Sequence, residues 1–227
     1  MTIPEPTSDA YISQVKICGL RTTDAAVAAA NAGADILGFN FVEGVRRQIT
    51  LEQAKEIIDG YHAARAESPP GGPRLVGLFR NQPLRWVRSI AEECGLHLAQ
   101  LNGDEDLAYA EELVVPVLRQ IRVHPGESRG AVEARAREWL NQGHMVLLDA
   151  FDPTTPGGAG VTFDWSAAEG VASMPNVLLA GGLTPDNVGR AIERLRPWGV
   201  DVASGVETDG DKDAQKIRAF VRKAKSA

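Results

Sequence analysis

The chain reads as an α/β protein, a single (β/α)8 (TIM) barrel. Eight short apolar runs begin near Val15, Ile36, Arg74, His97, Val117, Met145, Asn176 and Val200, and an amphipathic segment follows a turn after most of them. A length of 227 residues suits one such domain with a substantial core. Eight units favour closure into a ring over an open doubly wound sheet. The expected organisation is a flexible polar tail over residues 1–12 and a barrel over 13–227, with no boundary that marks a second domain.

The elements follow in order. Strand one is Val15-Lys16-Ile17-Cys18, ended by Gly19. Strand two starts at Ile36 and leads to Arg46-Arg47. Leu51, Ala54, Ile57, Ile58 and Tyr61 then recur at helical spacing, so one face can cover a sheet while the charged residues stay wet. Ser68-Pro69-Pro70-Gly71-Gly72-Pro73 is turn-forming punctuation and predicts a surface connection on the N-terminal face. Arg74-Leu75-Val76-Gly77-Leu78-Phe79 is apolar with little alternation, as expected of a strand covered on both sides. Cys94 falls on the third helical segment before Gly95, where a packed, inert thiol is expected. Helical spacing returns at Val132, Ala136, Trp139 and Leu140, again at Val188, Ala191, Ile192 and Leu195, and last at Ile217, Phe220, Val221 and Ala224. Thr184-Pro185-Asp186 has the chemistry of a helix start, with threonine as cap and proline in the first turn.

Composition narrows the function classes. The chain is 44% hydrophobic with a formal net charge of −6, which favours a soluble fold and disfavours a general nucleic-acid surface. Its two cysteines are too few and too distant for a disulfide framework or a thiolate metal site. The four histidines are dispersed and none forms His-Glu-x-x-His, so no catalytic zinc is expected. No signal-like or membrane-length apolar run is present, and a cytoplasmic enzyme is the expectation.

In barrels of this kind chemistry gathers at the C-terminal ends of the strands. Cys18 closes strand one and Asp149 closes strand six, so a thiol and a carboxyl share one rim if the ring closes. Cys18 reads either as a small core residue or as a general base whose thiolate is favoured locally. Asp149 reads as a structural acceptor or as a proton donor kept partly protonated by burial. One of Arg46 and Arg47 can hold a substrate carboxylate while the other solubilises. Lys16 can balance charge inside the rim or orient the first loop, and Asp35 and Asp201 read as structural. Gly181-Gly182 after strand seven and Ser204-Gly205 after strand eight offer unobstructed backbone amides where this fold commonly cradles phosphate. Pro156-Gly157-Gly158-Ala159-Gly160, within the loop from Phe151 to Thr162, reads as a cover beside Asp149 or as a plain turn.

These residues resemble the phosphoribosylanthranilate isomerase family of tryptophan biosynthesis over nearly the whole chain. The resemblance is carried by Lys16-Ile17-Cys18-Gly19, Gly38-Phe39-Asn40-Phe41, Val76-Gly77-Leu78-Phe79 and Gln100-Leu101-Asn102-Gly103-Asp104-Glu105. It continues through Leu147-Leu148-Asp149, Pro156-Gly157-Gly158, Gly181-Gly182-Leu183 and Val202-Ala203-Ser204-Gly205-Val206-Glu207. The resemblance implies an Amadori rearrangement of N-(5-phosphoribosyl)anthranilate without metal or organic cofactor. It implies Cys18 as general base, Asp149 as general acid and Arg47 as holder of the anthranilate carboxylate. Phosphate contacts fall to the backbones of Gly182 and Ser204-Gly205, with Gly181 shaping the approach. The implied partner is this phosphorylated substrate, with no nucleic acid or membrane, for a monomer or small homo-oligomer. Val45, Gln48, Asn102 and Ala159 depart from the family's usual serine, tyrosine, histidine and threonine, which bears on contacts at the aromatic end. The competing expectations are an isomerase or synthase of another aminosugar phosphate and a noncatalytic phosphometabolite-binding protein.

Overall fold

A computed structural model describes residues 14–67, 71–124, 126–149 and 165–227. The strands are β1 (Gln14–Cys18), β2 (Ile36–Asn40), β3 (Arg74–Phe79), β4 (Leu98–Leu101), β5 (Val117–Arg122), β6 (Met145–Asp149), β7 (Val177–Ala180) and β8 (Gly199–Val202). They form one closed barrel in chain order, and β8 returns to pair in parallel with β1. Every strand begins within one residue of the position the apolar runs mark. The expected tail and most of the loop after β6, with its glycine run, lie outside the described residues.

The helices are α1 (Thr23–Asn31), α2 (Leu51–Ala64), α3 (Leu84–Glu93), α4 (Leu107–Glu111), α5 (Arg129–Leu140), α6 (Val188–Leu195) and α7 (Ala214–Lys225). Their starts follow local chemistry. Thr50 accepts from the Gln53 amide while the Gln53 side chain accepts from the Thr50 amide, a complete capping box for α2. Asp213 accepts from Gln215 and Lys216 at α7. The sixth unit differs: between β6 and β7 the described residues hold a short 3-10 helix, Trp165–Ala168. Thr184 is not the cap of α6, which begins at Val188 behind Asn187. The Asn187 side chain bonds back to the Thr184 amide (2.8 Å) and to the Gly182 carbonyl (3.0 Å), so Thr184-Pro185-Asp186 forms a turn ahead of the helix.

Strand alternation divides the core in two. One set of side chains, including Ile17, Leu37, Phe39, Phe79, Leu148 and Leu179, packs outward under the helices. The other set, including Ile36, Val76, Leu98, Leu118, Leu147 and Leu178, fills the barrel, and Cys18 belongs to it. By the same two-residue period Lys16, Gln120, Asp149 and Asp201 occupy inward positions near the mouth. Asp35, ahead of β2, accepts from the Val15 amide (2.7 Å) and from Lys225 (2.6 Å), a structural tie between the first strand and the last helix. Among the described residues no helix is long and apolar enough to cross a membrane.

Candidate active site

A buried ion pair organises the mouth. Lys16 on β1 is fully buried and its Nζ lies 2.7 Å from Asp201 Oδ1 on β8, an aspartate only 8% exposed. A charge this deep needs its partner close by. Burial alone would lower the Lys16 pKa, but Asp201 and then Cys18 outweigh it and hold the ammonium above its ordinary value. Of the two readings for Lys16, the structure places it inside the barrel as a charge partner. Asp201 is structural in the sense that it pairs Lys16, and it also stands within electrostatic reach of both Cys18 and Asp149.

Cys18 ends β1, two residues above Lys16 on the same face, and is 6% exposed. Gly38 on β2 leaves space for it: a Cβ there would sit 3.3 Å from Cys18 Sγ. Burial pushes the thiol pKa up from 9.0; Lys16 and Lys212 oppose that shift and Asp201 adds to it. Asp149 ends β6, three strands away around the ring. Burial, then Asp201, raises its pKa from 3.8, while a hydrogen bond from Gln120 and the charges of Arg122 and Lys16 pull the other way. The two groups thus answer to one Lys16–Asp201 pair. Cys94, by contrast, caps α3 in the outer core, with its thiol pushed up to about 11 by burial. It is packed, as its sequence position predicts.

Arg46 and Arg47 separate as expected in exposure, 55% against 24% for their side chains. Both nevertheless pair with Glu207. Arg47 binds it as a fork, Nε to Oε1 at 2.7 Å and Nη2 to Oε2 at 2.9 Å, so a protein carboxylate already engages part of this guanidinium. Gly19 lets the arginine lie there, because it has a φ of +76° and a Cβ on it would collide with Arg47 Cδ. Lys212 adds a third cation to Glu207 at 2.7 Å and also donates to the Ala203 carbonyl at 2.8 Å. Burial pushes Glu207 up, but its bonds from Arg47 and Lys212 prevail and hold it at about 2.

The glycine loops lie side by side. Gly181 and Gly182 follow β7 at φ +95° and +64°. Gly205, in the 3-10 turn Ser204–Val206 after β8, packs so closely on the β7 loop that a Cβ would overlap the Leu183 carbonyl oxygen. Ser204 and Gly182 are exposed on this joined surface.

Sequence reasoning missed Gln120, Glu207 and Lys212. Gln120 Nε2 donates to Asp149 Oδ2 at 2.6 Å. A polar residue at an inward β5 position was the one signal that could have exposed it. Glu207 and Lys212 follow the β8 loop in a two-stranded ribbon, Glu207–Thr208 with Asp211–Lys212, too short to register as a strand pattern. Beside the mouth, a cleft of about 470 Å³ is lined by Asn102, Gln120, Arg122, Arg135 and Trp139 among others. Among the described residues no group of three or more His, Cys, Asp or Glu side chains is placed to hold a metal ion.

A family model described as N-(5'-phosphoribosyl)anthranilate (PRA) isomerase matches residues 15–223. The chain belongs to this family. An N-(5'-phosphoribosyl)anthranilate isomerase of Roseiflexus castenholzii is 45% identical over 94% of this chain and 98% of its own length. A multifunctional tryptophan biosynthesis protein of Phycomyces blakesleeanus is 39% identical over 94% of this chain, which spans only 33% of that longer protein. A phosphoribosyl anthranilate isomerase solved in complex with reduced 1-(o-carboxyphenylamino)-1-deoxyribulose 5-phosphate superposes with a TM-score of 0.76 at 30% identity, over 95% of this chain and all of that one. The eight-stranded ring of this chain matches the fold of the solved PRA isomerase.

Proposed function

We propose that Cys18 and Asp149 carry the isomerisation of N-(5-phosphoribosyl)anthranilate to 1-(2-carboxyphenylamino)-1-deoxyribulose 5-phosphate, a step of tryptophan biosynthesis. The observation that carries this reading is that both groups end inward positions on strands of one barrel and share the Lys16–Asp201 pair, in a chain of this family. Asp149, as general acid, gives its proton to the furanose ring oxygen as the C1–O bond breaks and the anthranilate nitrogen forms the imine. Cys18, as thiolate, removes the C2 proton and leaves an enolamine, which tautomerises to the ketone. C1 is reduced as C2 is oxidised, so atoms and electrons balance within the substrate.

Arg47 holds the anthranilate carboxylate while its Nε and Nη2 stay tied to Glu207. The backbones of Gly182 and Ser204-Gly205 receive the phosphate, with Gly181 shaping the approach; their support is the left-handed glycines and the joined loops. Binding at two remote ends orients the sugar between acid and base. Burial pushes both the Cys18 thiol and the Asp149 carboxyl up from their ordinary values. The reactive form carries the thiolate together with the carboxylic acid. The protein works in the cytoplasm as a monomer or small homo-oligomer, on a small dianionic substrate and with neither nucleic acid nor membrane. The test is reaction of freshly generated phosphoribosylanthranilate with the purified protein. The expected product is the 1-deoxyribulose phosphate; conversion of another aminosugar phosphate alone, or binding without turnover, would overturn the reading.

A further inference from the structure

We propose that Gln120 is a positioning residue for proton donation: its side-chain amide holds Asp149 by Oδ2, so that the proton delivered to the substrate is carried on Oδ1. The inference rests on the reading of Asp149 as the general acid. Gln120 is the inward residue of β5 above Leu118, and its register partner on β6 is Leu147, one inward position below Asp149. From there its Nε2 reaches diagonally to Oδ2 at 2.6 Å, and both residues are half-buried. A carboxyl group turns easily about its last torsion, where the energy wells are broad, so a fixed donor at one oxygen decides which way it faces. An amide N–H needs a lone pair, and a protonated carboxyl oxygen is a poor acceptor. The acid proton therefore resides on the oxygen Gln120 does not touch.

The charged groups that face Asp149 come from three strands: Arg122 on β5, Lys16 on β1 and Asp201 on β8. Lys16 is committed to Asp201 by its 2.7 Å bond, and Arg122 is exposed at the rim. Gln120 thus supplies the directional contact while the charges act through space. It also lines the cleft shared with Asn102. On the neighbouring strand Gln100 Nε2 holds Asn102 Oδ1 at 2.9 Å, the same device one strand over.

Removing this donor has two separable consequences. The bond favours the ionised carboxylate, so its loss raises the Asp149 pKa and makes the acid more abundant. The acid is also no longer aimed, so turnover falls. A residue with a purely architectural role would produce neither the first effect nor the combination. The experiment uses the full chain with Gln120→Leu, nearly isosteric but without a donor, and Gln120→Glu, which sets two carboxyl groups to share a proton. Carboxyl 13C resonances are titrated in the ligand-free proteins, with Asp149→Asn identifying the Asp149 signal, and turnover of phosphoribosylanthranilate is measured alongside. For Gln120→Leu the Asp149 pKa is expected to rise by about one unit, with kcat down about tenfold and KM changed less than about threefold. Gln120→Glu should raise the pKa further. An Asp149 titration unmoved in both variants overturns the proposal, as does a moved titration with unchanged kcat. Asp149→Asn with wild-type turnover would overturn the acid reading itself, whatever Gln120 does.

Discussion

Glu207→Gln removes the one negative charge on which Arg46, Arg47 and Lys212 converge, while nearly keeping the side chain's shape. The carboxylate is 5% exposed, so its interactions are little screened by solvent. Its pKa is about 2 in the folded protein against an ordinary 4.5. A depressed folded pKa contributes stability that is complete above the unfolded value and is lost as pH falls from there through the folded value. That difference corresponds to about 3 kcal/mol at pH 7, of which about 2 kcal/mol is gone at pH 3. Burial holds Lys212 below its ordinary value even with Glu207 beside it, which offsets part of the gain and makes about 3 kcal/mol the upper end. Urea unfolding followed by circular dichroism at pH 7 and pH 3 tests this. The gap between wild type and variant should narrow from about 3 to about 1 kcal/mol, because the glutamine does not titrate. A gap that stays constant between the two pH values would refute the charge-based account. Arg47 also loses its anchor in this variant, so KM for phosphoribosylanthranilate should rise.

Three further outcomes follow from the site. Lys16→Met leaves the Asp201 charge inside the barrel without its partner and should cost about 3–5 kcal/mol in urea unfolding, much of it recovered by adding Asp201→Leu; a loss under about 1 kcal/mol would contradict the pairing. Gly205→Ala drives a Cβ into the Leu183 carbonyl and parts the two glycine loops, so KM should rise about tenfold with a smaller change in kcat; unchanged KM in steady-state kinetics would remove phosphate from these loops. Burial raises Asp149 from an ordinary 3.8 and Cys18 from an ordinary 9.0. The pH profile of kcat/KM should be a bell, with one limb above pH 3.8 and the other above pH 9.0. An alkaline limb below pH 8 would contradict the burial-raised thiol.

The parts of this structure legible in the sequence are those encoded by local periodicity. Strands such as Arg74–Phe79 announce themselves as short apolar runs because helices cover one face and the barrel core the other. Helices α2, α5 and α7 show their buried stripe at 3.6-residue spacing. Cys18 and Asp149 were visible because they end such runs. The invisible parts depend on partners brought together only by closure. Arg47 and Glu207 are 160 residues apart and Lys16 and Asp201 185 apart, and no window of sequence relates them. The α6 start lies past Thr184 because Asn187 bonds back to the preceding loop, which Thr184 chemistry alone does not reveal. Gln120 could have been found only by carrying the inward–outward count along β5 and asking why an amide, rather than an apolar side chain, stood on the inner face.

The proposed chemistry assigns the two proton transfers of a single isomerisation to one sulfur and one carboxyl group. Parallel turnover measurements on wild type, Cys18→Ala and Asp149→Asn, each checked for native circular dichroism, test it most directly. Both variants should stay folded and lose about a hundredfold to ten-thousandfold in kcat. Wild-type turnover in either folded variant would contradict the account.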